Sequence, residues 1–243
     1  MKIIGIESAS MTASVAIVDE EVILAEYTVN HKKTHSQTLL PMLDEIVRMT
    51  EMELSEVDAI AVSGGPGSFT GLRIGSATAK GLGLALDKPL IHIPTLEAMA
   101  YNFAGSTKLI CPMLDARRGQ VFTAVYRVDE ECPETVLEPA AMDLEELLRK
   151  LETMGKEVIF LGDGVNVLKV KEKTSLAFPF KIAPPHLSRE RAAAVAALGL
   201  IYLKEGRTVS AAEEKPEYLR VSQAERVRAE KMKLSNVPLT SES

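Results

Sequence analysis

The stretch IGIESASMTASVAIV, Ile4–Val18, decides the fold. An apolar strand ends on an acid, Glu7, small residues turn the chain, and a second apolar strand follows. The pattern returns in CPMLDARRGQVFTAV, Cys111–Val125, where Asp115 takes the place of Glu7. Recurrence of an acid-tipped hairpin points to two similar units stacked face to face.

The first unit can be followed outward from its hairpin. KIIGIES, SVAIVD and VILAEYTV, within residues 2–29, are β-rich runs parted by small polar residues or by the acidic turn Asp19–Glu21, as three antiparallel strands require. From Ser36 to Met49, apolar residues at Leu39, Leu40, Leu43, Ile46, Val47 and Met49 have helical spacing, so Pro41 must sit in the first turn or kink the helix. Val57–Gly65 reads as a buried strand, Ser68–Asp87 as a helix, Leu90–Pro94 as a strand, and Thr95–Ala104 as a helix capped by Thr95. The second unit begins with strands at Lys108–Ala116, Gln120–Val128 and near Thr135–Pro139, followed by an amphipathic helix Met142–Gly155 and a strand in Glu157–Gly164. A helix Ser188–Gly206, capped by Ser188 and stopped by Gly206, closes it. The expected class is α/β, with β-β-β-α-β subdomains at residues 1–105 and 106–220 and a polar tail at 221–243 that lacks an apolar stripe. Stacked units of this kind resemble the ribonuclease-H-like subdomains of the actin, hexokinase and chaperone-ATPase superfamily, whose two hairpins clamp nucleotide phosphates.

Composition narrows the function classes. The 243 residues are 46% hydrophobic and 26% charged, and no apolar run has the length of a membrane span. Glu7 interrupts the first apolar run before it could form a signal peptide, so a cytoplasmic chain is expected. The 34 acids against 28 bases give a net charge of −6, unsuited to gripping nucleic acid unaided. Local basic stretches, KVKEKTS near Lys169–Lys173 and RVRAEKMK at 226–233, contain acids and read as solvated faces. Cys111 and Cys132 form no C-x-x-C pair and read as reduced structural thiols.

SGGPGSFTGLRIG, Ser63–Gly75, raises the question of an anion site, because glycines admit close backbone approach and the following helix offers unpaired N–H groups. No Walker lysine follows, and Thr70 stands where a dinucleotide fingerprint needs its third glycine, so a tight strand-to-helix turn competes with the phosphate reading. The helix behind it carries Gly71, Gly75, Gly81 and Gly83, each costing about 1 kcal/mol relative to alanine. Gly71, Gly75, Thr78 and Ala79 share one face, and Leu72, Ser76, Lys80 and Gly83 the adjacent one. Such a face packs on its own sheet or admits a partner helix; on the second reading Gly75→Leu leaves the chain folded and abolishes association. His31 and His35 have i, i+4 spacing, but Lys32 occupies the position where a zinc-protease glutamate belongs, so no metal site is expected. His92 and His186 read as structural. No nucleophile–base pair or carboxylate pair announces catalysis.

GPGSFTGLRIG (Gly65–Gly75), LDARRGQVF (Leu114–Phe122), GDG (Gly162–Gly164) and KPEYLR (Lys215–Arg220) resemble the motifs of the bacterial TsaB (YeaZ) family of threonylcarbamoyladenosine biosynthesis proteins, and the likeness runs from the first strand to about Arg220. The resemblance implies a small actin-like fold without catalysis of its own. Its members pair with TsaD, which transfers threonylcarbamoyl to the adenosine beside the tRNA anticodon, and are joined by TsaE; tRNA is reached only through the complex. A partner interface through Gly71, Leu72, Gly75, Ser76, Ala79, Lys80 and Gly83, beside the helix Ser36–Met49, and a homodimer when TsaD is absent are the corresponding expectations. No cofactor is expected beyond a vestigial nucleotide cleft at Glu7, Ser8, Asp115, Gly162, Asp163 and Gly164. The rival reading makes those six residues a working Mg-ATP site in a self-sufficient enzyme of kinase type.

Overall fold

The computed structural model describes residues 1–31, 34–128, 132–171 and 176–219, so the tail expected at 221–243 and the second basic stretch lie outside the described residues, as do the side chains of Lys169–Lys173. Strands β1 (Lys2–Glu7), β2 (Thr12–Asp19), β3 (Ile23–Asn30), β4 (Ala59–Gly65) and β5 (Leu90–Pro94) form one sheet in the order β3-β2-β1-β4-β5. Strands β6 (Ser106–Asp115), β7 (Gln120–Val128), β8 (Pro133–Asp143), β9 (Val158–Leu161) and β10 (Phe180–Ile182) form the other, which read from its β8 edge has the same order. In each sheet the first three strands pair antiparallel and the last two run parallel to the first. The repeat in the sequence is therefore a duplicated five-stranded α/β unit.

Helices α1 (His35–Thr50) and α2 (Phe69–Leu86) cover one face of the first sheet over Ile4, Ile6, Val15, Ile60 and Val62. Helix α6 (Ala192–Lys204) covers the other face over Ile3, Ala16, Ala61 and Ile91. Burial on both faces explains why β1 is a continuous apolar run. Helix α3 (Thr95–Tyr101) lies instead on the second sheet, over Ile110, Leu114, Phe122 and Tyr126, and touches α6. Thus α3 and α6 form a shared middle layer, each packing on the sheet of the other unit. Close approach needs small residues: a β-carbon at Gly199 would stand 2.8 Å from that of Ala61. Helices α4 (Leu144–Met154) and α5 (Val165–Lys171) cover the outer face of the second sheet.

The expected three-strand openings, α2 and α4 are present. Sequence reading passes over α5 and β10, because a three-residue edge strand offers no periodicity. Two expected caps are elsewhere engaged: the Thr95 hydroxyl accepts from Gly65 N–H at 3.2 Å, and the Ser188 carbonyl accepts from Gly162 N–H at 2.9 Å, while α6 starts at Ala192. Pro41 lies inside α1 beyond its first turn, where it deprives the Gln37 carbonyl of a helical donor. Cys111 is buried, and burial pushes its thiol up to about 12, which leaves it inert.

Candidate functional site

The glycines of α2 answer to the chain itself. A β-carbon at Gly71 would overlap the Ser8 carbonyl, one at Gly75 would overlap the Ser8 hydroxyl, and one at Gly83 would come within 2.8 Å of Leu90. Ser8 nests between Gly71 and Gly75 and donates its hydroxyl to the Gly71 carbonyl at 2.9 Å. This corrects the expected partner face: Gly71, Leu72, Gly75, Ser76, Ala79 and Gly83 are buried inside the chain and Lys80 is half-buried. Leucine at position 75 therefore disrupts packing rather than association. The solvent-facing side of α2 is Thr70, Arg73, Ala77, Gly81, Leu84 and Ala85, and Gly81 has open space beyond it.

The supposed phosphate turns are similarly occupied. Ser68 N–H donates to the Ala9 carbonyl at 2.6 Å, Gly67 lies against the same residue, and Ser68 caps α2 by accepting from Gly71 N–H at 3.3 Å. The β1–β2 hairpin thus fills the anion position before its helix N-terminus. Gly164 N–H donates to the Met113 carbonyl at 2.9 Å, and Gly162 crosses the same carbonyl too closely for any side chain. Of the six expected nucleotide residues, Glu7, Ser8, Gly162 and Gly164 serve internal packing; only Asp115 and Asp163 line the cleft between the units.

That cleft has a volume of about 650 Å³. Ser10, Met11, Gly67 and Phe69 form its first-unit wall, Ala116, Arg117, Arg118 and Asn166 its second-unit wall, and Arg189 and Tyr218 close it. Behind Ser10, Glu7 accepts from Ala9 N–H at 2.6 Å and from the Ser63 hydroxyl at 3.0 Å. Burial, reinforced by the Glu190 carboxylate, pushes its carboxyl up to about 8 against those hydrogen bonds. Glu190 is itself buried and shifted upward by that burial; Thr12 donates to one of its oxygens at 3.3 Å, and the other has no hydrogen-bond partner.

His31 is exposed, whereas the His35 Nε2 stands 2.8 Å from the Ser10 carbonyl. Among the described residues no three acids, histidines or cysteines gather as a metal set, and no helix is long and apolar enough to cross a membrane. Sequence reasoning also missed a strap, residues 209–219, that returns to the first unit. Leu90 and Val209 exchange backbone hydrogen bonds, and Glu217 N–H donates to the Gly64 carbonyl at 2.7 Å. Within the strap Glu214 is buried, accepts from the Ser76 hydroxyl and lies 3.8 Å from His92 Nδ1. Tyr218 stacks on Phe69 at 4.4 Å, and Arg73 lies over the same ring at 4.0 Å. No local signal links Glu214 to His92, because the pair is made only when the strap folds back.

Residues 22–227 match the family described as "TsaD: tRNA N6-adenosine threonylcarbamoyltransferase". The chain is 32% identical over 225 residues, 93% of itself and 96% of the relative, to tRNA threonylcarbamoyladenosine biosynthesis protein TsaB of Bacillus subtilis (strain 168). It is also 32% identical to the protein of that name from Escherichia coli (strain K12), over 68% of itself and 72% of the relative. YeaZ from Pseudomonas aeruginosa shares the fold, with a TM-score of 0.76 at 22% identity over 90% of this chain and 99% of that one. A second structure, described as an uncharacterized protein with similarity to peptidase YEAZ from the same organism, gives 0.77 at 23% identity over the same shares of both chains.

Proposed function

The chain belongs to the TsaB (YeaZ) family, and from that premise we propose that it acts in tRNA threonylcarbamoyladenosine biosynthesis as a non-catalytic scaffold that binds and activates TsaD. TsaE joins the assembly, tRNA is reached only through it, and the same face supports a homodimer when TsaD is absent. One observation carries the choice of surface. The outward side of α2, which packs beside α1, leaves Leu84 exposed at 74% next to the small residues Ala77 and Gly81. A large apolar side chain bared on a helix face favours association, and small residues beside it let a partner helix approach closely.

The rival kinase reading needs open phosphate turns, whereas the turns here are filled by the chain's own backbone. The deciding experiment is size-exclusion chromatography of the chain mixed with TsaD from the same organism. Leu84→Asp should abolish co-migration while leaving the thermal midpoint of the isolated chain unchanged. Continued co-migration would remove this face from the interface, and ATP turnover by the isolated chain would overturn the scaffold reading.

A further inference from the structure

An open sheet presents a row of unpaired backbone groups at each edge, and three of the edges here are guarded. The β5 edge is taken by the strap, since Leu90 and Val209 exchange backbone hydrogen bonds. The β8 edge carries Pro133 and Pro139, which have no N–H to offer, and β10 is three residues long with Lys181 at its centre. Strand β3, the other edge of the first sheet, is eight residues long and contains neither proline nor lysine. Among the described residues no backbone hydrogen bond joins it to anything but β2.

Glu26, the charged residue within β3, does not protect this edge. It is turned onto α6, where it pairs with Arg191 and accepts from Ala193 N–H at 3.2 Å. Exposed instead are Val22, Ile23, Leu24 and Tyr27. The register against β2 slips by one residue at Leu24, so the regular part of the edge runs from Ala25 to Asn30, with Ala25, Tyr27 and Val29 on the α1 side. The surrounding sequence reads DEEVILAEYTVNHKK, Asp19–Lys33: three acids precede the strand, and His31, Lys32 and Lys33 follow it.

We propose that the β3 edge pairs antiparallel with the same strand of a second copy of this chain, extending the first sheet across a two-fold axis. Antiparallel self-pairing brings the acidic end of each strand to the basic end of the other, an attraction that parallel pairing turns into repulsion. An axis perpendicular to the sheet opposes residues of the same face, so it passes through a residue rather than between two. At Glu26 it opposes two carboxylates, and at Thr28 it carries Lys33 past the acids to Ile23. At Tyr27 it sets the two tyrosines side by side, places Ala25 against the second copy's Val29, and brings Lys33 alongside Glu21. Strand β3 shares no residue with the outward side of α2, so this pairing leaves open the face proposed for TsaD.

Sedimentation velocity of the full chain, carrying Leu84→Asp to silence the α2 face, tests the pairing without TsaD, so its outcome is independent of the scaffold reading. The expected result is a concentration-dependent dimer within a series reaching about 200 µM protein. Tyr27→Lys places two ammonium groups at the axis and should weaken the dimer at least about tenfold, with circular dichroism and thermal midpoint like those of the parent. Glu21→Lys and Lys33→Glu should each weaken it about threefold or more, and the two together should restore it, a rescue that damage to folding does not produce. A monomer at every concentration, which leaves the edge to a strand of another protein, overturns the proposal. So does a dimer unaffected by Tyr27→Lys, or a double charge reversal no tighter than either single one.

Discussion

Alanine placed at two glycines of one helix should change stability in opposite directions. Gly75 and Gly81 both lie in α2, and in an unobstructed helix each substitution gains about 1 kcal/mol of propensity. At Gly81 nothing lies within 4 Å of the added carbon, so the gain is realised. At Gly75 the carbon overlaps the Ser8 hydroxyl and lies 3.5 Å from Ser8 Cβ and 3.6 Å from Val62. The hydroxyl must leave its 2.9 Å bond to the Gly71 carbonyl while remaining buried. An unpaired buried hydroxyl costs about 1–3 kcal/mol and overpacking a further 1–3 kcal/mol, so after the propensity gain the net effect is a loss of roughly 1–5 kcal/mol. In a chain of this size 1 kcal/mol moves the thermal midpoint by about 2–4 °C. Thermal unfolding of the monomer, checked by urea titration, should show Gly81→Ala about 2–4 °C above the parent and Gly75→Ala at least about 2 °C below it. Introducing Gly75→Ala into a Ser8→Ala background should recover much of the loss, because the obstructing oxygen is gone. A Gly75→Ala chain as stable as Gly81→Ala would refute the view that Ser8 fixes this helix.

Glu7 holds its proton more tightly folded than unfolded, so in the window from about 4.5 to about 8 the native state carries more protons and stability falls as pH rises. Glu7→Gln should remove up to about 1.4 kcal/mol per pH unit of that slope in urea titrations across the window; an unchanged slope would show that Glu7 is ionised in the native state. Glu214→Ala leaves Ser76 and His92 without their buried carboxylate and should cost about 1–3 kcal/mol, with earlier proteolysis at 209–219 than elsewhere. Glu26 engages Arg191 and accepts from Ala193 N–H at 3.2 Å at the start of α6. Glu26→Ala should lower the thermal midpoint measurably, whereas Arg48→Ala, whose partner Glu45 is exposed on α1, should change it by less than about 0.5 kcal/mol equivalent.

The duplicated hairpins, the succession of elements they start and the main helices are legible along the chain, because local periodicity and turn chemistry reflect burial on one face or both. The family likeness was legible too, since its motifs are contiguous runs such as Gly65–Gly75. The direction in which α2 turns its small residues was not. Periodicity shows that Gly71, Gly75 and Ala79 share a face, but solvent, a partner helix and the turn of β1–β2 are equivalent explanations until Ser8 is placed against them. The same holds for the cleft. Ser10 and Arg118 stand far apart in sequence and come to line one cleft only because two sheets stack around a shared helical layer. Sequence alone therefore determined which elements form and which family they make, because those follow from contacts near in the chain. Tertiary structure decided which surfaces are left open and which charges lack partners, because both depend on contacts between segments that have no local reason to meet.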